Sequence, residues 1–117
     1  MTVSTSIFGR ETTLDAQGTT TEGIRLARTL DLKKVKQVIV ELTPAECRAG
    51  YSGGPANVTF TFVDGSSVKI INGFGVGYGG TGPWGIHDIL TEDLGLPEEE
   101  AKRVFKPWNT KILFQVN

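Results

Sequence analysis

The sequence predicts an α+β fold: a small antiparallel β-sheet with two short C-terminal helices and a final strand, in a single domain over residues 1–117. Three patterns carry that prediction. Residues 58–70 alternate β-formers on either side of Asp64-Gly65-Ser66, the pattern of a hairpin. Ile86, Ile89, Leu90 and Leu94 recur at helical spacing, and Gly95 follows as a stop. Residues 111–116 alternate again, with Ile112, Phe114 and Val116 set against Leu113 and Gln115. Strands followed by helices, without a repeating strand–helix rhythm, place the chain in the α+β class.

Taken in order, residues 1–22 are rich in Thr and Ser, which suits an edge strand and a loose connection. Residues 23–30 alternate Ile24 and Leu26 with Arg25, then Ala27 with Arg28, and both a strand and a short helix fit them. Val35, Val38, Ile39, Val40 and Leu42 form a β-branched run that suits a strand buried on both faces. Thr43-Pro44-Ala45-Glu46 reads as the start of one helical turn ending at Gly50. Residues 51–55 read as a loop. The hairpin occupies residues 58–72, with Val58, Phe60 and Phe62 on one side of its first strand. Pro97 and three glutamates open the second C-terminal helix, their charges suited to its dipole, and Pro107 ends it. The last strand is 111–116.

Composition narrows the functional classes. Twelve basic residues against thirteen acidic ones give a net charge of -1, with no broad basic field for duplex nucleic acid. One cysteine and one histidine cannot fill a structural zinc site or form an internal disulfide, so neither a metal nor another cofactor is expected. A reducing, cytoplasmic setting is the expectation. Residues 1–10 lack the basic start and apolar stretch of a secretion signal, and no apolar run is long enough to span a membrane.

Glycine is the unusual element. Seven of the fifteen glycines fall within residues 73–85. The stretch Gly77-Tyr78-Gly79-Gly80-Thr81-Gly82-Pro83 leads directly into a helix, with Pro83 in its first turn. Side-chain-poor backbone at a helix start presents free N–H groups to an anion. The expected ligand contacts are therefore Gly79, Gly80 and Gly82, with Thr81 adding a hydroxyl. Phe74, Tyr78, Trp84 and Trp108 are the candidates to stack on a base. Arg25, Arg28, Arg48, Arg103 and Lys106 are the candidates to meet phosphate charge. The other reading is structural: alternating glycines let a neighbouring strand or helix pack closely, or support an oligomer contact. The segment has neither the Lys-Ser/Thr of a phosphate-binding loop nor the βαβ setting of a dinucleotide fold.

From Phe74 to Phe105 the chain resembles a domain family found in phages and bacteria. The resemblance rests on Gly77-Tyr78-Gly79-Gly80-Thr81-Gly82-Pro83, then Ile89-Leu90, Leu94-Gly95 and Phe105-Lys106, and it implies no particular activity. In size and order of elements the chain is also similar to small phage anti-defence sponges, which sequester cyclic nucleotide or cyclic ADP-ribose signals. That similarity implies a compact oligomer that binds without cleaving, and it carries no motif residue by residue.

Catalysis has little to rest on. His87, one turn into the helix and next to Asp88, is the single candidate base or polar ligand contact. Cys47 has no neighbours that would activate it. The acids around residues 92–100 read as solvated helix ends. The expectation is a non-catalytic binder of a small anionic, nucleotide-like ligand, assembled as a homo-oligomer because one short chain makes only a shallow pocket. The alternatives are a small enzyme acting on a nucleotide and a packing or oligomer module. A Gly80→Val variant should lose ligand binding while keeping its fold, and calorimetry showing unchanged affinity would remove the glycine loop from the site.

Overall fold

Five strands build one sheet: β1 (Glu11–Asp15), β2 (Val35–Leu42), β3 (Gly54–Phe62), β4 (Ser67–Val76) and β5 (Lys111–Gln115). These elements come from a computed structural model that describes residues 10–42, 54–77, 80–105 and 111–116. The order across the sheet is β1-β4-β3-β2-β5. Helix α1 (Thr20–Arg28) and a short 3-10 turn (Leu32–Lys34) link β1 to β2. Helix α2 (Thr81–Asp88) continues into a π-helical segment (Ile89–Asp93). Helix α3 (Glu98–Ala101) ends in a 3-10 turn (Lys102–Val104) before β5.

The α+β class holds, and the sheet is mixed rather than antiparallel. β1 pairs parallel to β4, with Leu14 opposite Ile70, while all other neighbours are antiparallel. The pairings make β1 and β2 point the same way, two strands apart. Strands in that relation need a crossover, and α1 supplies it. Residues 23–28 are therefore helical rather than extended. Thr19 caps α1 by accepting a hydrogen bond from the Glu22 N–H at 3.2 Å. Thr19 followed three residues later by Glu22 is a capping-box signature that favours the helix over the strand.

One face of the sheet carries the core. Val38, Val40 and Leu42 of β2, Ala56, Val58 and Phe60 of β3, Ile70 and Phe74 of β4, and Ile112 and Phe114 of β5 are all buried. Ile86, Ile89 and Leu90 meet this layer from above. β2 is thus buried on one face, not both: Lys36 and Glu41 are exposed, and Gln37 and Ile39 are half-buried. A sheet with helices on one side leaves its other side to polar or intermediate residues. The hairpin forms where the alternation placed it. Asp64 Oδ1 accepts from the Ser66 N–H at 2.9 Å, and Gly65 takes a φ of 92°.

Two boundaries differ from the sequence reading. Gly54 and Pro55 belong to β3 rather than to a loop, and β4 runs on through Val76. The helical turn expected at 43–50, with Cys47 and Arg48, lies outside the described residues. β4 continues because it bulges: Val58 faces Ile70, yet Ala56 faces Phe74, so two residues of β3 span four of β4. Asn72 sits in this bulge with a φ of 59°. Beyond it, residues 73–76 are all buried.

The glycines beyond the bulge make a junction. A Cβ on Gly73 would lie 2.6 Å from Ala16 Cβ, and one on Gly85 would lie 2.6 Å from Thr20 Cγ2. A Cβ on Gly23 of α1 would meet the Phe74 ring at 2.9 Å. Gly73 brings the β4 backbone against that of α1, while Gly23 and Gly85 make room for the Phe74 ring and the Thr20 methyl, the close-packing use of glycine. Gly95 differs, with open space around it and a φ of 71° that favours glycine on backbone grounds. Gly73→Ala should destabilise the fold by about 1–3 kcal/mol through overpacking. Gly95→Ala should cost about 1 kcal/mol through backbone strain alone. Denaturant melts of the two variants check both values.

Candidate functional site

The β1–α1 turn starts from a carboxylate. Asp15 Oδ1, at the end of β1, accepts from the Gln17 N–H at 2.7 Å and from Asn72 Nδ2 at 3.0 Å. The chain then reverses through two left-handed residues, Gln17 at φ 57° and Gly18 at φ 89°. The Gly18 N–H donates to the Asn72 carbonyl at 2.6 Å, which ties the turn to the β4 bulge. Two of the three left-handed residues gathered here are not glycine, a backbone arrangement that surrounding contacts must hold in place. The Asn72 amide is the main cause that holds the Asp15 carboxyl below its ordinary value of 3.8, and the Gln17 N–H adds to it.

Beside this turn lies a cleft of about 480 Å³. Asp15, Gln17, Gly18 and Thr20 line it from the β1–α1 side, Pro55, Asn72, Gly73 and Phe74 from β3 and β4, and Thr81 from the start of α2. Its size is that of a small-molecule site. It opens at the carboxyl end of the parallel β1/β4 pair, where chains leaving a sheet create a crevice. α1 and α2 both begin at it. Gly80 is the N-cap of α2 and supplies no side-chain acceptor, so the first N–H groups of that helix get no partner from their cap residue.

The expected site residues separate. Thr81 and Phe74 both line the cleft. Gly80 and Gly82 flank Thr81, and Gly82 is buried. Tyr78, Gly79, Lys106 and Trp108 lie outside the described residues. Trp84 and His87 sit on another part of α2, where the Trp84 ring packs 4.8 Å from Phe105 and 4.9 Å from His87. The three candidate arginines among the described residues are committed elsewhere. Arg25 pairs with Glu22 at 2.6 Å, and Arg28 with Asp93 at 2.8 Å. Arg103 pairs with Glu100 at 3.2 Å and lies 5.0 Å over the Phe114 ring. None of these three lines the cleft.

Sequence reasoning did not single out Asp15, Gln17, Thr20, Pro55 or Asn72. The capping box at Thr19 and the turn-forming Asp-x-x-Gly before it are the local signals for the first three. Asn72 and Pro55 enter only through strand pairing. Among the described residues, no three His, Cys, Asp or Glu side chains gather as a metal site. No helix among them is long and apolar enough to cross a membrane.

Comparison with protein-family models, with curated proteins and with solved structures gives no match to this chain.

The lowered Asp15 carboxyl has a pH consequence. Its contribution to the turn is present above the ordinary value of 3.8 and is lost as pH falls through the lowered one. In a carboxyl-detected NMR titration, Asp15 should titrate below 3.8 in the native protein and move back up in Asn72→Ala.

Proposed function

We propose that the chain is a non-catalytic binder of a small phosphate-containing ligand, of the nucleotide or ADP-ribose type, that sequesters it in the cleft beside the β1–α1 turn. The observation that carries this reading is a single cleft lined by the starts of two helices and by a fixed carboxylate. The start of α2, which has no side-chain cap, favours the negative end of a ligand through its N–H groups and dipole. Asp15 accepts hydroxyl or amine donors, so a sugar diol suits the wall at the end of β1. Backbone donors meet the phosphate in this reading, because Arg25, Arg28 and Arg103 are occupied by acids.

Binding without turnover fits the placement of His87, the chain's single histidine, which does not line the cleft. The phage sponge resemblance points the same way, and with it goes assembly as a homo-oligomer that completes a shallow site. A second reading has its own support: Gly23, Gly73 and Gly85 serve close packing, so part of the glycine excess is structural. In that reading the chain is a packing or interaction module.

Two measurements decide between them. Native mass spectrometry of the purified protein should show a copurifying phosphate compound, and a nucleotide panel should raise the melting temperature. Ligand at a hundredfold excess over Kd stabilises by about 2.7 kcal/mol. Thr81→Trp places a bulky ring at the exposed mouth of the cleft and should abolish the shift while circular dichroism stays unchanged. No shift with any phosphate compound would leave the packing module as the reading.

A further inference from the structure

His87 is buried, with 6% of its surface exposed, and it meets a carboxylate on each side. Its Nε2 is 2.7 Å from Glu98 Oε2 of α3, and its Nδ1 is 3.1 Å from Asp88 Oδ1 of α2. A carboxylate can only accept, so both contacts are hydrogen bonds only if both ring nitrogens carry a proton. In neutral imidazole one lone pair would face a carboxylate oxygen. The arrangement therefore selects imidazolium.

Among the described residues, no cation in contact with the ring opposes that selection. Trp84 and Phe105 pack against the ring, with centroids at 4.9 and 5.7 Å, and contribute no charge. Thr91 of the π-helical segment donates its hydroxyl to the His87 carbonyl at 3.0 Å. The nearby cation on α1, Arg28, is held by Asp93 and Glu92. On α3, Glu100 turns to Arg103. Among the described residues, Asp88 and Glu98 are the charged groups in contact with the ring.

The contact to Glu98 links two parts of the chain. It joins α2 to the first residue of α3, eleven positions later. The arm it holds, residues 98–105, carries Phe105 against Trp84 and offers the Val104 carbonyl to the Gly77 N–H at 2.8 Å. Glu98 is half-exposed, so it can turn to water when the ring loses its charge.

We propose that His87 is a proton-operated clasp, which fastens the arm 98–105 onto α2 while the ring is charged and releases it when the ring is neutral. The sign follows from the partners. Burial pulls the imidazole down, but the hydrogen bonds it donates to Asp88 and Glu98 outweigh that and leave the group above its ordinary 6.5. The clasp is thus fully fastened below 6.5 and opens as pH rises through the raised value. Opening also draws the Val104 carbonyl away from the Gly77 N–H. The clasp itself needs no ligand and stands apart from the function proposed above.

With one histidine in the chain, its NMR signals are unambiguous. Ring shifts and amide-exchange protection factors are to be followed from pH 5.5 to 9 in the wild-type protein and in Glu98→Gln. The wild-type ring should titrate above 6.5, and protection at Ala101 and Val104 should fall about fivefold across the same midpoint. In Glu98→Gln the midpoint should drop and the protection should stop following it. A wild-type midpoint at or below 6.5 overturns the proposal, as does a protection step that persists unchanged in Glu98→Gln. Glu99→Gln, one residue away and without contact to the ring, should behave as wild type.

Discussion

Close packing at glycines, where α1 and α2 cross the far half of β4, is the constraint on which the rest of the structure depends. Gly73 under Ala16, Gly85 against Thr20, and Gly23 over the Phe74 ring leave no room for a side chain at any of the three glycines. Interiors are packed too densely to absorb an added methyl group without displacement. A Cβ at Gly73 or Gly85 would move α1 away from the sheet and α2 away from α1. Both helix starts would then leave the cleft together. The packing use of glycine and the exposure of helix starts are in this way one arrangement, seen from inside and from outside.

The bulge in β4 is the second half of that arrangement. Four residues of β4 opposite two of β3 bend the strand, and Asn72 takes the left-handed conformation that the bend requires. Its amide fixes Asp15 and its carbonyl receives Gly18. Backbone strain in the sheet and strain in the β1–α1 turn therefore support each other through hydrogen bonds on one residue. The crossover through α1 starts from that turn, so the parallel pairing of β1 with β4 and the shape of the cleft have a common origin.

Charge is distributed so that most of it is internally answered. Arg25, Arg28 and Arg103 each find a carboxylate on a neighbouring turn or helix. Exposed pairs of this kind add little stability, but they take cations out of use for a ligand. His87 is the exception among the described residues in being buried, and it links α2 to α3 through Glu98. Thr91, one turn on, bonds the His87 carbonyl where the helix widens into its π-helical segment. The widened turn fits a helix whose carbonyl is claimed by a side chain.

The sequence by itself determined the local pieces. Alternation around Asp64-Gly65 set the hairpin, the spacing of Ile86, Ile89 and Leu90 set the buried face of α2 and its π-helical continuation, and Gly95 marked the end of that continuation, because these signals act over a few residues. It also held the capping box that settles residues 20–28 as helix, since Thr19 and Glu22 are one turn apart. Tertiary structure alone decided the parallel β1, the one-sided burial of β2 and the continuation of β4 through its glycines. Each depends on which strands become neighbours, and pairing partners such as Leu14 and Ile70 are far apart in the chain. The cleft belongs to the same class. Asp15, Asn72 and Thr81 come from three separate elements, β1, β4 and α2, which pack closely at Gly73 and Gly85.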